Sequence, residues 1–349
     1  KRRHFLKSAA ASLAGTYLGS RARSKTTRRM NVLFLVIDDL NTWLLSDPNR
    51  YTGTVIAPHI LKLAESGVVF TQNFTSSPKC SPSRTAFLSG VAPWKSGVYE
   101  NGLDISRSAV LKKVTPLPQF FRENGYYTAA AGKVGHGYPL RNRSDACWHE
   151  KMKHSRDPVH PDAPLNGWAK NRKGRPTEKD WGPTHLPEAG MRDTQYADFA
   201  VRQLRKKHDT PFFIACGIFH PHFPWYVPQK YLDRYPLDDI AVPAIKPDDQ
   251  SDIPPAGLRL INEGLDKNIK KHDQVRQAIR GYLASTTYAD AQIGRVLDAL
   301  DKSPYKDNTI VVFLTDHGFH LGEKQHWAKG TLWEEATHSL LIFRVPGMT

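Results

Sequence analysis

The chain has 349 residues, of which 40% are hydrophobic and 24% charged, the composition of a globular protein long enough to bury a large core. Its formal net charge is +15, but residues 1–30 contain nine lysines and arginines and no acid, which leaves 40 basic against 34 acidic residues, or +6, in the remainder. Because the basicity is concentrated in one tail, the composition argues against nucleic-acid binding by the rest of the chain.

The N-terminal tail has the pattern of an export signal. Residues 1–7 (KRRHFLK) resemble a twin-arginine motif, and residues 8–18 form an alanine-rich run that is too short to span a bilayer. We expect residues 1–30 to be a twin-arginine-type signal peptide and linker. The protein would then be exported to the periplasm or the outside of a bacterial cell, without stable membrane insertion. A disordered basic N-terminus is the alternative.

Residues 31–37 (NVLFLVI) are continuously apolar, which is typical of a strand buried on both faces. Asp38 and Asp39 follow directly. Two adjacent carboxylates at the end of a buried strand repel each other and are costly to desolvate unless a cation lies between them. Open α/β sheets bind ligands outside the carboxyl ends of their strands, so the pair predicts a metal site, with a solvated loop as the alternative.

A predicted helix at 58–67 and a predicted strand at 68–74 lead to the sequence Cys80-Ser81-Pro82-Ser83-Arg84. Proline is favoured in the first turn of a helix, and small polar residues cap the free amides there. We therefore expect Cys80 at the positive end of a short helix, a place suited to an anion. An ordinary buried cysteine in a turn is the alternative. The other two cysteines, Cys147 and Cys216, do not make a disulfide framework, and their pairing stays open.

A predicted helix at 116–124 and a predicted strand at 127–131 precede a glycine-rich loop at 132–137. Glycines permit a close backbone approach, and we expect this loop to present Lys133 and His136 in one direction. A flexible surface loop is the alternative.

Residues 141–187 are rich in proline, glycine, tryptophan and charged residues and show no period, which indicates a long insertion rather than a domain. Three tryptophans, Trp148, Trp168 and Trp181, favour an ordered rim that contacts substrate. They would serve equally well to pin the segment to the core.

A predicted helix at 193–208 and a predicted strand at 212–217 come next, and the strand leads to His220-Pro221-His222. Histidines held between prolines after a core strand favour a functional role over packing, with capping as the alternative.

The longest helical pattern, at 274–302, keeps a 3.6-residue period and should lie flat on a sheet. A predicted strand at 309–315 ends in a second polar pair, Asp316 and His317, and Lys329 follows before a last predicted strand at 339–345. Strands that alternate with helices predict an α/β fold with a mainly parallel sheet covered on both faces.

Taken together, these motifs resemble those of the type I sulfatases, and more narrowly the iduronate-2-sulfatase-like branch, over nearly all of residues 31–349. The resemblance implies an alkaline-phosphatase-like, three-layer sandwich with a large, mainly parallel mixed sheet, an N-terminal catalytic domain at 31–349 and a smaller C-terminal domain. We expect that second domain to be missing from this chain, which has no initiator methionine and stops at Thr349 after a strand-like run. The resemblance is carried by Val36-Ile37-Asp38-Asp39, Cys80 to Gly90, Gly132-Lys133-Val134-x-His136, Pro221-His222-Phe223-Pro224, Thr315-Asp316-His317-Gly318, Leu321-Gly322-Glu323, Trp327-Ala328-Lys329 and Ala336-Thr337-His338.

The resemblance also implies a chemistry. Cys80 would be oxidised after translation to formylglycine by a maturation enzyme of the host, and its hydrated aldehyde would attack the sulfur of a sulfate ester on a sulfated carbohydrate. His222 would protonate the leaving oxygen, and His136 would take up a proton as sulfate is expelled. Calcium would be held by Asp38, Asp39, Asp316 and His317, and fixed positive charge would come from Arg84, Lys133 and Lys329.

Some positions depart from the pattern or extend it. His220 stands where the branch can have lysine, and His320 and His326 are additional histidines that we expect to tune substrate choice. Trp94 and Lys95, just beyond the cysteine motif, are candidates for contact with substrate.

Two other functions fit the same residues. One is a formylglycine-dependent phosphodiester or phosphonate monoester hydrolase of the same superfamily. The other is a non-catalytic relative that binds sulfated glycans with an unconverted Cys80. A two-zinc phosphatase is disfavoured, because it would want a serine or threonine nucleophile and more histidine and aspartate ligands.

Overall fold

The computed structural model describes residues 29–45, 50–139, 144–152, 165–166, 168, 179–246 and 248–349. The expected signal peptide, apart from its last two residues, and most of the expected insertion lie outside these ranges. None of the described helices is both long and apolar enough to cross a membrane.

Strands and helices alternate along much of the chain. In chain order they are β1 (Asn31–Ile37), α1 (Pro58–Glu65), β2 (Val68–Val69), α2 (Cys80–Ser89), α3 (Pro93–Ser96), α4 (Leu117–Glu123), β3 (Tyr127–Gly132), α5 (Ser144–Cys147), β4 (Glu150–Lys151), β5 (Trp181–Thr184), α6 (Arg192–Arg205), β6 (Phe212–Ile218), β7 (Trp225–Pro228), α7 (Gln229–Leu232), α8 (Pro255–Leu258), α9 (Glu263–Lys271), α10 (Val275–Asp301), β8 (Thr309–Thr315), β9 (His320–Leu321), β10 (Trp327–Ala328), α11 (Glu334–Thr337) and β11 (Leu341–Arg344).

Within the described residues, a seven-stranded mixed sheet has the order β2-β11-β8-β1-β6-β3-β4. The strands from β8 to β4 run parallel to one another, whereas β11 is antiparallel to both β8 and β2. The central strand β1 pairs with β8 on one edge and with β6 on the other, which explains its continuously apolar sequence. The mainly parallel mixed sheet predicted from the sequence is confirmed.

Helices cover both faces of this sheet. Because successive strand residues point to opposite faces, β6 directs Phe212, Ile214 and Cys216 to one side and Phe213 and Ala215 to the other. The first side packs against α1, α6 and α10, and the second packs against α2, α4 and α5. Full burial of a phenylalanine or isoleucine side chain stabilises the fold by roughly 1.5–3 kcal/mol. The predicted three-layer sandwich is therefore confirmed as well.

The two cysteines whose pairing the sequence leaves open are separated by the sheet. Cys216 lies in the cluster on the α10 side, and Cys147 lies in the cluster on the α2 side. Both side chains are buried on their own side of the sheet. They therefore do not form a disulfide with each other.

The described parts of the expected insertion are tied to the core. β4 extends the large sheet beside β3, and β5 pairs with β7. Trp148 stacks on Phe213, and Trp181 packs on Trp225, so both tryptophans are buried. Nε1 of Trp168 donates to the side chain of Gln274 at 2.6 Å. These contacts support the second interpretation of the tryptophans, that they pin the segment to the core.

Candidate active site

The carboxyl ends of neighbouring parallel strands meet at one edge of the sheet and carry most of the expected site residues. The last residue of β1, Ile37, pairs with Thr315 of β8 and with Ile218 of β6. Residues that follow parallel strands emerge side by side at such an edge. Asp38 and Asp39 follow β1, Asp316 and His317 follow β8, His222 follows β6, and Lys133 follows β3.

Cys80 is the first residue of α2, as predicted, and its side chain is buried at this edge. Its Sγ lies 3.5 Å from Oδ1 of Asp38 and 3.4 Å from Nε2 of His317. The same sulfur lies 3.1 Å from Nζ of Lys329 and 3.6 Å from Nζ of Lys133. Burial and Asp38 both act to raise the pKa of the thiol, but the two lysines outweigh them and the pKa is lowered. Cations and carboxylates thus converge on Cys80.

Arg84, one turn further along α2, is completely buried. Its Nε donates to Oδ2 of Asp316 at 2.9 Å, and its Nη2 lies 3.2 Å from Oδ1 of Asp38. Its Nη1 donates to the backbone carbonyls of Lys133 and Val134. Burial alone would lower the pKa of Arg84, but Asp316 and Asp38 raise it. The guanidinium of Arg84 therefore binds protein groups at the ends of three strands. It contributes its positive charge to the site from a fully buried position.

The two aspartates after β1 are each paired with a lysine. Nζ of Lys133 contacts Oδ2 of Asp38, and Nζ of Lys329 contacts Oδ1 of Asp39. Burial acts to raise the pKa of Asp38, but Lys133 and Arg84 lower it well below its usual range. For Asp39 burial outweighs Lys329, and the pKa rises to about 7. The repulsion expected from two adjacent carboxylates is therefore relieved by one ammonium group on each.

The expected metal ligands come together at this edge. Among the residues that the structure describes, two groups have ligand atoms within 4.8 Å of one another, and Asp38 and Cys80 belong to both. Carboxylate oxygens are the ligands that a hard divalent cation such as calcium prefers. The two lysine ammonium groups already rest on these oxygens, so the cluster fits a cation. One group consists of Asp38, Cys80, Asp316 and His317, and the other of Asp38, Asp39, Cys80 and His222.

His317 is oriented towards the carboxylates. Its Nδ1 lies 2.9 Å from the carbonyl oxygen of Gly318, to which it donates. Its Nε2 lies 3.4 Å from Oδ2 of Asp316 and 3.5 Å from Oδ1 of Asp39. Burial acts to lower the pKa of His317, but Asp316 outweighs it and the pKa rises to about 9. A metal that binds Nε2 must therefore displace a proton.

The two histidines expected to transfer protons have lowered pKa values. Burial, Lys329 and Lys133 hold the pKa of His222 well below its usual range. Its Nδ1 lies 2.6 Å from the carbonyl oxygen of Phe223, to which it donates, and its Nε2 is 4.0 Å from Oδ2 of Asp39. Burial and then Lys133 lower the pKa of His136.

His136 is held beside the cysteine helix through its backbone. The hydroxyl of Ser81 donates to the carbonyl oxygen of His136 at 3.1 Å. Nδ1 of His136 is buried and has no hydrogen-bond partner in the described part of the chain. The lowered pKa leaves the imidazole of His136 unprotonated, and an unprotonated imidazole is suited to accept a proton.

Two of the additional histidines have both ring nitrogens engaged by the protein. His320 contacts the carbonyl oxygen of Glu323 at 3.3 Å and the hydroxyl of Thr331 at 2.7 Å. His326 accepts the backbone N–H of Asn262 at 2.8 Å, and its Nε2 lies 3.2 Å from the carbonyl oxygen of Lys329. The expectation that they tune substrate choice stays a prediction, and such an effect would be indirect, because neither ring has a nitrogen left for a substrate.

Asp193 is a buried residue that the sequence patterns do not single out. Its carboxylate accepts the backbone N–H groups of Phe219 at 2.8 Å and His220 at 2.9 Å, and it binds Nδ1 of His220 at 2.7 Å. These bonds fix the turn that leads from β6 to His222. In the sequence Asp193 resembles any acid in the first turn of a helix, so the pattern contains no signal for this role.

The fold and the site together define a class. This is an α/β sandwich with a buried cluster of carboxylates, lysines and histidines around one cysteine, at the carboxyl ends of its parallel strands. The family model named Sulfatase matches residues 30–349. The chain belongs to the sulfatase family, as its motifs predict.

Curated relatives agree with this assignment. A sulfatase from Formosa agariphila is 35% identical over 334 residues, which cover 93% of this chain and 66% of that protein. Iduronate 2-sulfatase from Homo sapiens is 31% identical over 95% of this chain and 62% of its own length. Choline-sulfatase from Rhizobium meliloti is 28% identical over 93% of this chain and 64% of its own length. The chain therefore spans 62–66% of the length of these relatives.

Solved structures share the fold. A phosphonate monoester hydrolase from Silicibacter pomeroyi aligns with a TM-score of 0.71 at 22% identity, over 92% of this chain and 69% of that one. A 2-O GAG sulfatase aligns with a TM-score of 0.63 at 21% identity, over 92% of this chain and 65% of that one. These similarities show that the chain shares its fold with both hydrolases.

Replacing Arg84 by lysine should strongly destabilise the protein. Lysine keeps the charge but cannot reach Asp316, Asp38 and two carbonyls at once, so a buried carboxylate loses its partner. We expect the free energy of unfolding to fall by about 3–5 kcal/mol in urea denaturation. The matched control is Arg50→Lys, because Arg50 makes only partly exposed ion pairs with Glu334 and Glu335 and should change stability by about 1 kcal/mol or less. Equal losses in the two variants would contradict the role given to Arg84.

Proposed function

We propose that this protein hydrolyses sulfate esters of a sulfated carbohydrate, such as a glycan or a uronic acid. The observation that carries the proposal is the position of the Cys80 sulfur, 3.1 Å and 3.6 Å from the ammonium groups of Lys329 and Lys133. A group attached to residue 80 is thereby placed next to two cations that would bind sulfate oxygens. The sulfatase relatives support the same reaction. Residues 31–349 would be the catalytic domain of this activity.

Two groups that the chain does not encode complete the proposal. Cys80 is converted by a maturation enzyme to formylglycine, whose hydrated aldehyde supplies a hydroxyl nucleophile for sulfur. Asp38, Asp39, Asp316 and His317 would hold calcium, which would supply further positive charge against the sulfate.

The residues around Cys80 have separable tasks. Lys133 and Lys329 clamp the sulfate oxygens while the S–O bond breaks, the electrostatic role that cations also have in phosphoryl transfer. Their charges lower the pKa of His222, together with burial, so His222 is unprotonated before substrate binds. The negative charge of sulfate opposes the lysines and raises that pKa, so that Nε2 takes up a proton from water and gives it to the leaving oxygen. Once the alcohol has left, sulfate is bonded to residue 80. His136 has a lowered pKa and accepts the proton of the second hydroxyl of residue 80, so that the bond to sulfate breaks and the aldehyde forms again.

A second candidate reaction is hydrolysis of phosphonate monoesters or phosphodiesters. The observation in its favour is the structural similarity to the phosphonate monoester hydrolase from Silicibacter pomeroyi. Sequence similarity favours the sulfatase reaction, since the relatives above 30% identity are sulfatases. Initial rates on an aryl sulfate and an aryl phosphodiester distinguish the two, and a faster phosphodiester rate would reverse our choice.

The assignment of a sulfated carbohydrate as the substrate rests on two relatives, one named iduronate 2-sulfatase and one named 2-O GAG sulfatase. Trp94 is 67% exposed on α3, which leaves its ring available to a sugar. Sulfate release from a panel of sulfated mono- and oligosaccharides, with choline sulfate as a non-carbohydrate comparison, tests this assignment. Preference for choline sulfate would contradict it.

Sulfate release should depend on conversion of Cys80. We expect the peptide that contains Cys80 to show the mass of an aldehyde in place of the thiol when the protein is expressed with a maturation enzyme. Cys80→Ala should remain folded and release no sulfate, because it has no group to oxidise. Cys147→Ala removes another buried cysteine and should keep the activity. Turnover by Cys80→Ala, or by protein with an unmodified thiol, would overturn the proposed nucleophile.

His136→Ala should separate the two halves of the reaction. The alcohol should appear in a burst of about one equivalent, because only the later step needs a base at this position. Steady-state sulfate release should fall by about 10²–10⁴-fold. His149→Ala is the control, because His149 contacts Thr128 near the opposite end of β3. Steady alcohol release without a burst would assign His136 to another step.

We also propose export through the twin-arginine pathway, on the strength of residues 1–7. A reporter fused to residues 1–30 should reach the periplasm of a bacterium that has this pathway. A fusion with Arg2→Lys and Arg3→Lys should stay in the cytoplasm, since the paired arginines are the recognised feature. Equal export of both fusions, or of neither, would rule out this route.

A further inference from the structure

Asp39 has a backbone conformation that is unfavourable for a residue with a side chain. Its φ is 63°, in the left-handed region. Asp39 is the second residue after β1. Its conformation allows the two adjacent carboxylates to face the same group of charged side chains, in which Asp38 contacts Lys133 and Asp39 contacts Lys329. Strained conformations of this kind persist only where surrounding groups hold them. The contacts of the Asp39 backbone are therefore informative.

One side chain binds the backbone on both sides of this turn. The hydroxyl of Tyr282 lies 2.9 Å from the carbonyl oxygen of Asp39 and 2.8 Å from the backbone nitrogen of Asn41. A backbone N–H is only a donor and a carbonyl only an acceptor, so the hydroxyl must accept from Asn41 and donate to Asp39. These two hydrogen bonds therefore support the left-handed turn.

The position of this hydroxyl is itself fixed. Tyr282 belongs to α10 and is 1% exposed. Its ring stacks on Phe319 with centroids 5.6 Å apart and meets the edge of Trp225 at 5.4 Å. Phe319 follows the loop that contains Asp316 and His317, and its carbonyl oxygen accepts from Nδ2 of Asn41 at 3.5 Å. The same aromatic group thus contacts both loops that supply the expected metal ligands.

We propose that Tyr282 is a positioning residue that preforms the metal site by holding Asp39 in its left-handed conformation before the metal binds. It touches neither substrate nor metal and acts only through Asp39. The inference rests on the proposed function in one respect, the binding of calcium by Asp38, Asp39, Asp316 and His317. Loss of a residue that orients a metal ligand in this way typically lowers metal affinity by roughly 10–100-fold.

The variant Tyr282→Phe removes the hydroxyl and keeps the packed ring. We expect its calcium affinity, measured by isothermal titration calorimetry, to fall about 10–100-fold. The control is Tyr235→Phe, because Tyr235 is also buried and its hydroxyl accepts from Ile56 at 2.9 Å and binds Thr287 at 2.7 Å, away from Asp39. It should bind calcium as the wild type does. The two variants should melt at similar temperatures in the presence of a chelator.

A double-mutant cycle tests whether Tyr282 acts through Asp39. In an Asp39→Asn background, which already weakens calcium binding, adding Tyr282→Phe should have little further effect. Wild-type affinity in Tyr282→Phe, an equal loss in Tyr235→Phe, or full additivity in the cycle would each overturn the proposal.

Amide hydrogen exchange on the metal-free wild type tests the hydrogen bonds of the Tyr282 hydroxyl without any variant. The Asn41 amide should be protected before calcium is added, because it is bonded to Tyr282. Exchange at the rate of an unprotected amide would overturn the proposal even if Tyr282→Phe fails to fold. Failure of the wild type to bind calcium or to release sulfate would instead count against the proposed function, so the two failures are distinguishable.

Discussion

The buried ion pairs of Arg84 with Asp38 and Asp316 are the interaction on which the site depends. A guanidinium with no access to water is tolerated only when carboxylates and carbonyls surround it, and the ends of three strands supply them here. Any displacement of α2 would leave buried charges unpaired. The helix can therefore dock in one position only, and this position brings Cys80 to the carboxyl ends of the strands.

Charge balance explains the rest of the cluster. Lys133 and Lys329 neutralise Asp38 and Asp39 and are thereby kept close to Cys80. The position of Lys133 also depends on Gly217, because a side chain there would collide with the Lys133 backbone. Since the lysines and the carboxylates compensate each other, the cluster can accept a cation on the carboxylates and an anion on the lysines together. Such paired binding would serve the proposed hydrolysis of a sulfate ester.

Much of the fold and the site follows from local sequence patterns. The apolar runs of β1, β6 and β8 and the 3.6-residue period of α10 predict a covered parallel sheet, because burial on two faces leaves that signature. The sheet then predicts that residues after its strands meet at one edge. The expected short strand at 68–74 is only Val68–Val69, since an edge strand has a partner on one side and pairing ends where the chain turns away.

Other features were decided by tertiary structure alone. Asp193 and Tyr282 lie far from the site motifs in sequence, and their roles arise from hydrogen bonds that no spacing encodes. The separation of Cys147 from Cys216 likewise depends on which face of the sheet each occupies. The sequence by itself determined the residue types at the site and the order along the chain of the strands that carry them. The folded chain decided their protonation and orientation, because pKa values and strained turns depend on neighbours that only packing brings together.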